Sequence, residues 1–269
     1  MSDRRVRVYE SKASLATAVA ERFIKRMREI LDAKSEAHVV LTGGTMGEAV
    51  LQAVADSARL DRVEWSRVTF WWGDERYLPT GDPDRNETQS RRALLDRLEL
   101  RPEQIKAFPA LGEHASIEEA AEAYAAELAA AAPDGAAYPV FDLTFLGVGP
   151  DGHVASLFPD HEAVRDREHI VLPETNSPKP PPERLTLTLP VINSSERVWL
   201  VMAGSDKAGA LGLALADANP ADVPVAGVRG KLRTVFFVDV DAAAEVPENL
   251  LTRERFWTAA HELPTLGGA

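Results

Sequence analysis

Apolar positions along the chain follow two rhythms. Six short runs rich in β-branched and aromatic residues, at 6–9 (VRVY), 38–42 (HVVLT), 68–72 (VTFWW), 141–148 (FDLTFLGV), 197–202 (RVWLVM) and 234–240 (TVFFVDV), are apolar almost without interruption. That is the pattern of strands buried on both faces of a parallel sheet. Between most of them the period lengthens. Leu15, Val19, Phe23, Met27 and Ile30 are spaced by four, four, four and three residues, which places them on one helical face. The stretches 46–56, 87–98, 116–132 and 206–216 also read as helices. The expected fold is therefore α/β, a single domain over 1–269 with a Rossmann-like, mostly parallel sheet and helices on both faces. Such sheets bind ligands beyond the carboxyl ends of their strands. The irregular stretch PETNSPKPPPERL at 173–185 is short and lies between two strand-like pieces. It is expected to form a surface excursion or a wall of the active site rather than a domain linker.

Composition narrows the functional classes. Thirty basic against 42 acidic residues give a net charge of −12, which argues against a general binder of nucleic acid or of anionic membranes. An anionic ligand would have to be held by a local cluster of positive groups. Cysteine is absent, which excludes a disulfide frame, a thiolate metal site and a cysteine nucleophile. The N-terminus MSDRRVRVYE has no apolar segment of a signal peptide, and nowhere do 18 uncharged apolar residues run together. A cytoplasmic protein without membrane insertion is the expectation.

Four stretches carry candidate chemistry. VVLTGGTMGEA (39–49) reads as strand, glycine turn and helix start. Gly43 and Gly44 let a ligand approach the backbone, free amides favour an anion, and Thr45 adds a hydroxyl. It lacks the Gly-Lys-Ser/Thr of a Walker loop and the full G-x-G-x-x-G pattern, and an ordinary strand-to-helix turn would look the same. FWWGDERYLP (70–79) brings Asp74, Glu75 and Arg76 to a strand end, where Arg76 can fork onto a phosphate or carboxylate; a surface ion-pair cluster is the alternative. Arg85 and Asn86 follow just before a helix, with Asn86 placed as its N-cap. GVGPDGHVASLFP (147–159) projects His153 from a strand end, with Asp151 positioned to orient the ring. An imidazole titrates near neutrality and suits taking a proton from water and returning it to a leaving oxygen, although a histidine in a turn also serves packing. Finally, Arg184 stands at a strand start, and Lys207 opens a helix, where the dipole gives a cation no reason to be.

Other mechanisms are not supported. G-x-S-x-G and H-E-x-x-H are absent. His38, His114, His161, His169 and His261 lack metal-ligand spacing, and most of them are expected to face solvent.

Taken in order, LTGGTMGEAV, FWWGDERYLP, DPDRNETQSRRALL, LTFLGVGPDGHVASLFP, ERLTLTLPVIN and VWLVMAGSDKAGAL resemble the 6-phosphogluconolactonase family over residues 5 to 260. The resemblance implies a fold related to the glucosamine-6-phosphate deaminases, a role in the pentose phosphate pathway, and hydrolysis of 6-phospho-D-glucono-1,5-lactone. The deaminases are the near rival. Their corresponding loop resembles G-V-G-x-D-G-H-I-A-F-N-E-P, whereas here Ser156, Leu157 and Phe158 replace Phe-Asn-Glu and remove its carboxylate. On this resemblance Gly43, Gly44, Thr45, Arg184 and Lys207 are expected to hold the phosphate, Arg76, Arg85 and Asn86 to line the sugar and lactone end, and Asp74 to be a further substrate-binding residue. The division of the arginines between phosphate and carbonyl stays open. His153 would be the general base, supported by Asp151, with Arg76 among the positive groups at the carbonyl. Neither metal nor organic cofactor is called for. The expected partner is a small sugar-phosphate lactone, with no nucleic acid or membrane, and the chain is expected to be a monomer or small homo-oligomer. A non-catalytic sugar-phosphate sensor is the reading of a different class, and the chain has no helix-turn-helix extension to support it.

Overall fold

Every neighbouring pair of strands in the central sheet runs parallel, as runs with no polar face require. The computed structural model describes residues 3–246 and 256–258. The chain runs β1 (Asp3–Tyr9), α1 (Lys12–Ala33), β2 (Ala37–Leu41), α2 (Gly44–Ala55), β3 (Val68–Trp72), β4 (Asp74–Arg76), α3 (Asn86–Ala93) and α4 (Ile117–Ala130). It continues with β5 (Leu143–Gly147), α5 (Glu162–Arg165), β6 (Val171–Glu174), β7 (Arg184–Leu187), α6 (Leu189–Asn193), β8 (Arg197–Met202), α7 (Ala208–Leu215), β9 (Arg233–Asp239), α8 (Val240–Ala243) and β10 (Phe256–Thr258). The central sheet has the order β10-β1-β9-β8-β5-β2-β3. No described helix is long and apolar enough to cross a membrane.

Alternating side chains on the sheet separate the two helical layers. Phe70 stacks on Trp65, which in turn meets Phe23 of α1, with centroids 6.2 and 5.9 Å apart. Its neighbour Trp71 points the other way and meets Tyr124 of α4 edge-on at 6.1 Å. On the α1 side an aromatic row crosses the sheet from Tyr9 through Phe237 and Trp199 to Phe145, which Phe23 caps at 5.2 Å. The predicted stripe of α1, Leu15 to Ile30, is buried throughout. Ser11 accepts the Ser14 N–H at 3.2 Å and caps this helix immediately after β1.

The structure departs from the sequence reading in three places. The predicted helix 87–98 ends at Ala93, because Leu94 leaves helical geometry at φ −145° and a separate 3-10 turn follows at Leu95–Arg97. The segment 206–216 opens as a 3-10 turn, Ser205–Lys207, before α7 begins. A second, antiparallel sheet in the order β4-β7-β6 was not anticipated. The proline-rich stretch forms the connection of its β6–β7 hairpin, and its first and last residues belong to the strands. Of the remaining histidines, His38, His114 and His161 are half-buried rather than solvent-facing, His169 is exposed, and His261 lies outside the described residues.

Phe23 is inaccessible to solvent and joins Trp65 to Phe145, so Phe23→Ala is expected to lower the unfolding free energy by about 3 to 5 kcal/mol. Urea denaturation followed by tryptophan fluorescence measures it.

Candidate active site

A cavity of about 370 Å³ opens where β1, β2, β3, β5 and β8 end, the side of a parallel sheet at which side chains from separate segments converge. Its lining includes Lys12 after β1, Gly43 to Gly47 after β2, Asp74 and Arg76 after β3, Gly149 and His153 after β5, and Asp206 and Lys207 after β8. The second sheet and its hairpin add Lys179 and Arg184, and α3 adds Asn86.

The glycine turn after β2 leads directly into α2, whose N-cap is Gly43. Among the described residues no side chain caps the first turn, and the Gly44 N–H reaches only Gln89 Oε1, at 3.4 Å. The orphan amides of that turn and Thr45 face the cavity, a suitable seat for an anion. Gly43 is required for a specific reason: a Cβ there would lie 1.8 Å from Asn86 Oδ1. Gly44 adopts φ +78°, the left-handed region that glycine enters freely.

Asn86 is the first residue of α3, not its N-cap as the sequence implied. The cap belongs to Glu75, which is fully buried. Its Oε1 accepts the N–H groups of Asn86 (2.6 Å) and Arg76 (2.8 Å), and its Oε2 accepts that of Glu87 (2.9 Å). Burial pushes the Glu75 carboxyl up, to about 7, while Arg85 and these N–H groups oppose the shift. With its backbone so held, Asn86 donates Nδ2 to the Asp74 carbonyl at 2.8 Å. Asp74 Oδ2 in turn accepts from Ser156 Oγ at 2.7 Å. Ser156 lies in the turn that carries His153, so the network ties β4, α3 and that turn together.

In this turn the chain doubles back on itself. Gly149 N–H donates to the His153 carbonyl at 2.9 Å, and Gly152 adopts φ +82°. A Cβ at Gly149 would meet His153 Nδ1 at 2.0 Å. The ring packs on Phe158, centroids 4.8 Å apart, and Nδ1 lies 2.5 Å from Asp151 Oδ1. Nε2 is left as the ring nitrogen available to a bound molecule. Burial alone would raise the Asp151 carboxyl, but the hydrogen bond and charge of His153, the charge of Lys179 and a backbone N–H outweigh it and hold it at about 2. Asp151 is therefore an anion at every pH of interest. It stands behind the imidazole and does not line the cavity.

Among the described residues, five cations line this cavity against two carboxylates, Asp74 and Asp206. Arg76 and Arg184 are direct partners on antiparallel strands, an arrangement that is unfavourable for like charges unless an anion lies near. Arg184 is steadied by the proline-rich connection, donating Nε to the Pro181 carbonyl (3.2 Å) and Nη2 to those of Lys179 (3.1 Å) and Pro180 (3.2 Å). Burial lowers its guanidinium from the ordinary value, Asp74 opposes that, and Arg76 adds to it. Lys207 Nζ lies 3.1 Å from Asp206 Oδ2.

Of the residues singled out in the sequence, Gly43, Gly44, Thr45, Asp74, Arg76, Asn86, His153, Arg184 and Lys207 meet at this cavity, with Asp151 behind. Arg85 does not. It is 1% exposed and donates to the carbonyls of Leu78 (3.1 Å) and Phe108 (2.7 Å), beside Glu75 at 3.8 Å. It braces the loop before α3 and cannot line the sugar end. Lys12, Lys179 and Ser156 were missed. Lys12 carried a usable signal, the same cation at a helix start that drew attention to Lys207.

A family model described as glucosamine-6-phosphate isomerases/6-phosphogluconolactonase matches residues 10–236. The chain is 48% identical over 247 residues to the 6-phosphogluconolactonase of Streptomyces coelicolor, covering 90% of this chain and 95% of that protein. The structure of 6-phosphogluconolactonase from Trypanosoma brucei is similar with a TM-score of 0.80 at 25% identity, over 92% of this chain and 100% of that one. A monomeric glucosamine-6-phosphate deaminase shares the fold, with a TM-score of 0.73 at 19% identity over 90% and 99% of the two chains. The chain belongs to the glucosamine-6-phosphate isomerase/6-phosphogluconolactonase family.

Proposed function

We propose that this chain is a cytoplasmic enzyme that hydrolyses 6-phospho-D-glucono-1,5-lactone to 6-phospho-D-gluconate in the oxidative pentose phosphate pathway. The observation that carries the reading is the His153–Asp151 pair, 2.5 Å apart, at the wall of a cavity lined by five cations. The relatives called 6-phosphogluconolactonase support the choice of substrate. Phe158 supports it too, because it occupies the place of the deaminase motif's glutamate and packs an apolar ring against the imidazole.

In the proposed mechanism the phosphate sits on the first turn of α2 with Gly43, Gly44 and Thr45, and Lys207 and Lys12 complete its neutralisation. Asp151 holds the Nδ1–H tautomer of His153. Nε2 takes a proton from a water as its oxygen attacks C1, giving a tetrahedral oxyanion. The imidazolium returns that proton to the ring oxygen as the C1–O bond breaks, and the carboxylic acid product ionises to solvent. Arg76 and Arg184 supply positive charge to the oxyanion or the phosphate. In variants of each, a change confined to KM marks a phosphate contact, and a fall in kcat marks the carbonyl. Asp74 and Asn86 line the sugar and are themselves fixed by Ser156 and Glu75.

The direct test is turnover of freshly generated lactone, coupled to 6-phosphogluconate dehydrogenase with uncatalysed opening subtracted, and glucosamine 6-phosphate run in parallel. Lactone hydrolysis without ammonia release is expected. Ammonia release would make the chain a deaminase, and tight binding without turnover would make it a sensor. His153→Ala is expected to lower kcat by about 10²- to 10⁴-fold at an unchanged melting temperature; full turnover would return His153 to a packing role. Lys207→Ala is expected to act mainly by raising KM, since a phosphate contact is held alike in the ground and transition states. Steady-state kinetics on the same coupled assay separates the two.

A further inference from the structure

Of the five cations that line the candidate active site among the described residues, Lys179 is the one with no part in the proposed mechanism. It belongs to the connection between β6 and β7, where successive prolines leave few backbone donors. Its main chain is nevertheless fixed on both sides. The Lys179 N–H donates to Ser177 Oγ at 3.3 Å, and the Lys179 carbonyl accepts from that hydroxyl at 2.8 Å and from Arg184 Nη2 at 3.1 Å. Ser177 is buried, and its own N–H donates to the Pro182 carbonyl at 3.0 Å, which closes the loop. The lysine therefore extends from a fixed origin, with its side chain half exposed.

Charge sets the direction it takes. Lys179 Nζ lies 4.0 Å from Asp151 Oδ1, the oxygen that His153 Nδ1 also approaches, at 2.5 Å. Ammonium and imidazole thus flank one carboxylate oxygen, and Lys179 is brought to the side of the cavity where His153 stands. At 4.0 Å the ion pair is not a hydrogen bond, and among the described residues Nζ donates none. The other cations are placed differently. Arg184 spends Nε and Nη2 on the carbonyls of the connection, and Arg76 Nη1 donates to the Asp84 carbonyl at 2.5 Å. Lys207 is set against Asp206, and Lys12 follows β1, which two strands separate from β5 in the sheet.

We propose, on the lactonase reading of the site, that Lys179 is a catalytic residue whose ammonium donates to the carbonyl oxygen at C1 of the lactone. As the oxygen of water bonds to C1, the π pair of the carbonyl moves onto its own oxygen. Nζ–H meets that developing anion beside the imidazole that activated the water. Lys179 keeps its proton throughout. When the C1–O bond to the ring breaks, the pair returns to restore C=O, and the ammonium is left against the new carboxyl group. A lysine suits this place, because a compact charge on a flexible stem can follow one oxygen from planar to tetrahedral geometry. A positive group aimed at the position where charge develops stabilises the transition state more than the ground state.

Wild-type protein, Lys179→Met and Lys179→Arg are compared in the coupled lactone assay. Lys179→Met keeps the stem without its charge and is expected to lower kcat by about 10²- to 10³-fold, the loss that follows removal of one oxyanion donor, with KM little changed. Lys179→Arg is expected to recover part of kcat. Calorimetry supplies a second readout: affinity for 6-phosphogluconate, which carries the new carboxylate, is expected to fall by about 10- to 100-fold in Lys179→Met, while affinity for inorganic phosphate stays at the wild-type value. A lysine serving only as counter-ion to Asp151 would cost nothing more when replaced in an Asp151→Asn background, whereas contact with the C1 oxygen predicts a further fall in kcat there. Absence of that further fall, or wild-type kcat in Lys179→Met, overturns the proposal. A wild-type protein without lactone turnover overturns the lactonase reading itself, and the proposal with it.

Discussion

The side of the molecule that carries the candidate active site rests on a carboxylate that water does not reach. Glu75 enters the interior immediately after the strand that carries Trp71 and Trp72, and there it replaces the missing cap of α3 with three backbone hydrogen bonds. A buried carboxylate is costly unless it is fully partnered, and Arg85, drawn in with it, spends its own donors on two loop carbonyls. The cost fixes a geometry. Asn86 is held where its amide meets Asp74, Asp74 is held where it meets Ser156, and the turn bearing His153 is thereby located against strands from another sheet. Two glycines complete the assembly by standing where any side chain would collide, Gly43 against Asn86 and Gly149 against the imidazole.

Parallel strands give this arrangement its economy. All of their carboxyl ends lie on one side, so the first residues after five strands become neighbours although they are spread from Lys12 to Lys207 along the chain. The acidic exterior and the cationic cavity are then complementary. A net charge of −12 disfavours indiscriminate binding of polyanions, and on the proposed function the cavity's cations answer that charge locally.

The main sheet could be read from the sequence because burial on both faces leaves strands with no polar positions, and the 3.6-residue stripe of α1 is equally unambiguous. The strand-like pieces around the proline-rich stretch and the strand start at Arg184 were visible, but β4 and the second sheet were not, since a three-residue strand carries too little periodicity and the β4–β7 pairing joins residues more than a hundred positions apart. The same limit applied to individual residues. Arg85 and Arg76 look alike in a linear string, both charged and both near a strand end or helix start. Only the path of the chain decides that one faces the cavity while the other turns inward to Glu75. Asn86 has the chemistry of an N-cap, but a distant carboxylate had already taken that place. Lys179 was hidden in a proline-rich segment with no pattern to mark it. By contrast the glycine turn at 43–44 and the G-P-D-G-H run were visible, because close backbone approach demands residue types that little else does.

The two carboxylates among the cations of the candidate active site bear on how the proposed reaction would end. Opening the proposed lactone creates a second anionic group, so the product carries more negative charge than the substrate. A recess lined by cations alone would grip the product harder than the substrate, and its departure would limit each cycle. In the proposed mechanism Asp74, pinned by Ser156, stands at the sugar end, while Asp206 is set against Lys207 at the phosphate. On the proposed function, a cavity whose cations are tempered in this way holds a doubly anionic product less tightly than cations alone would.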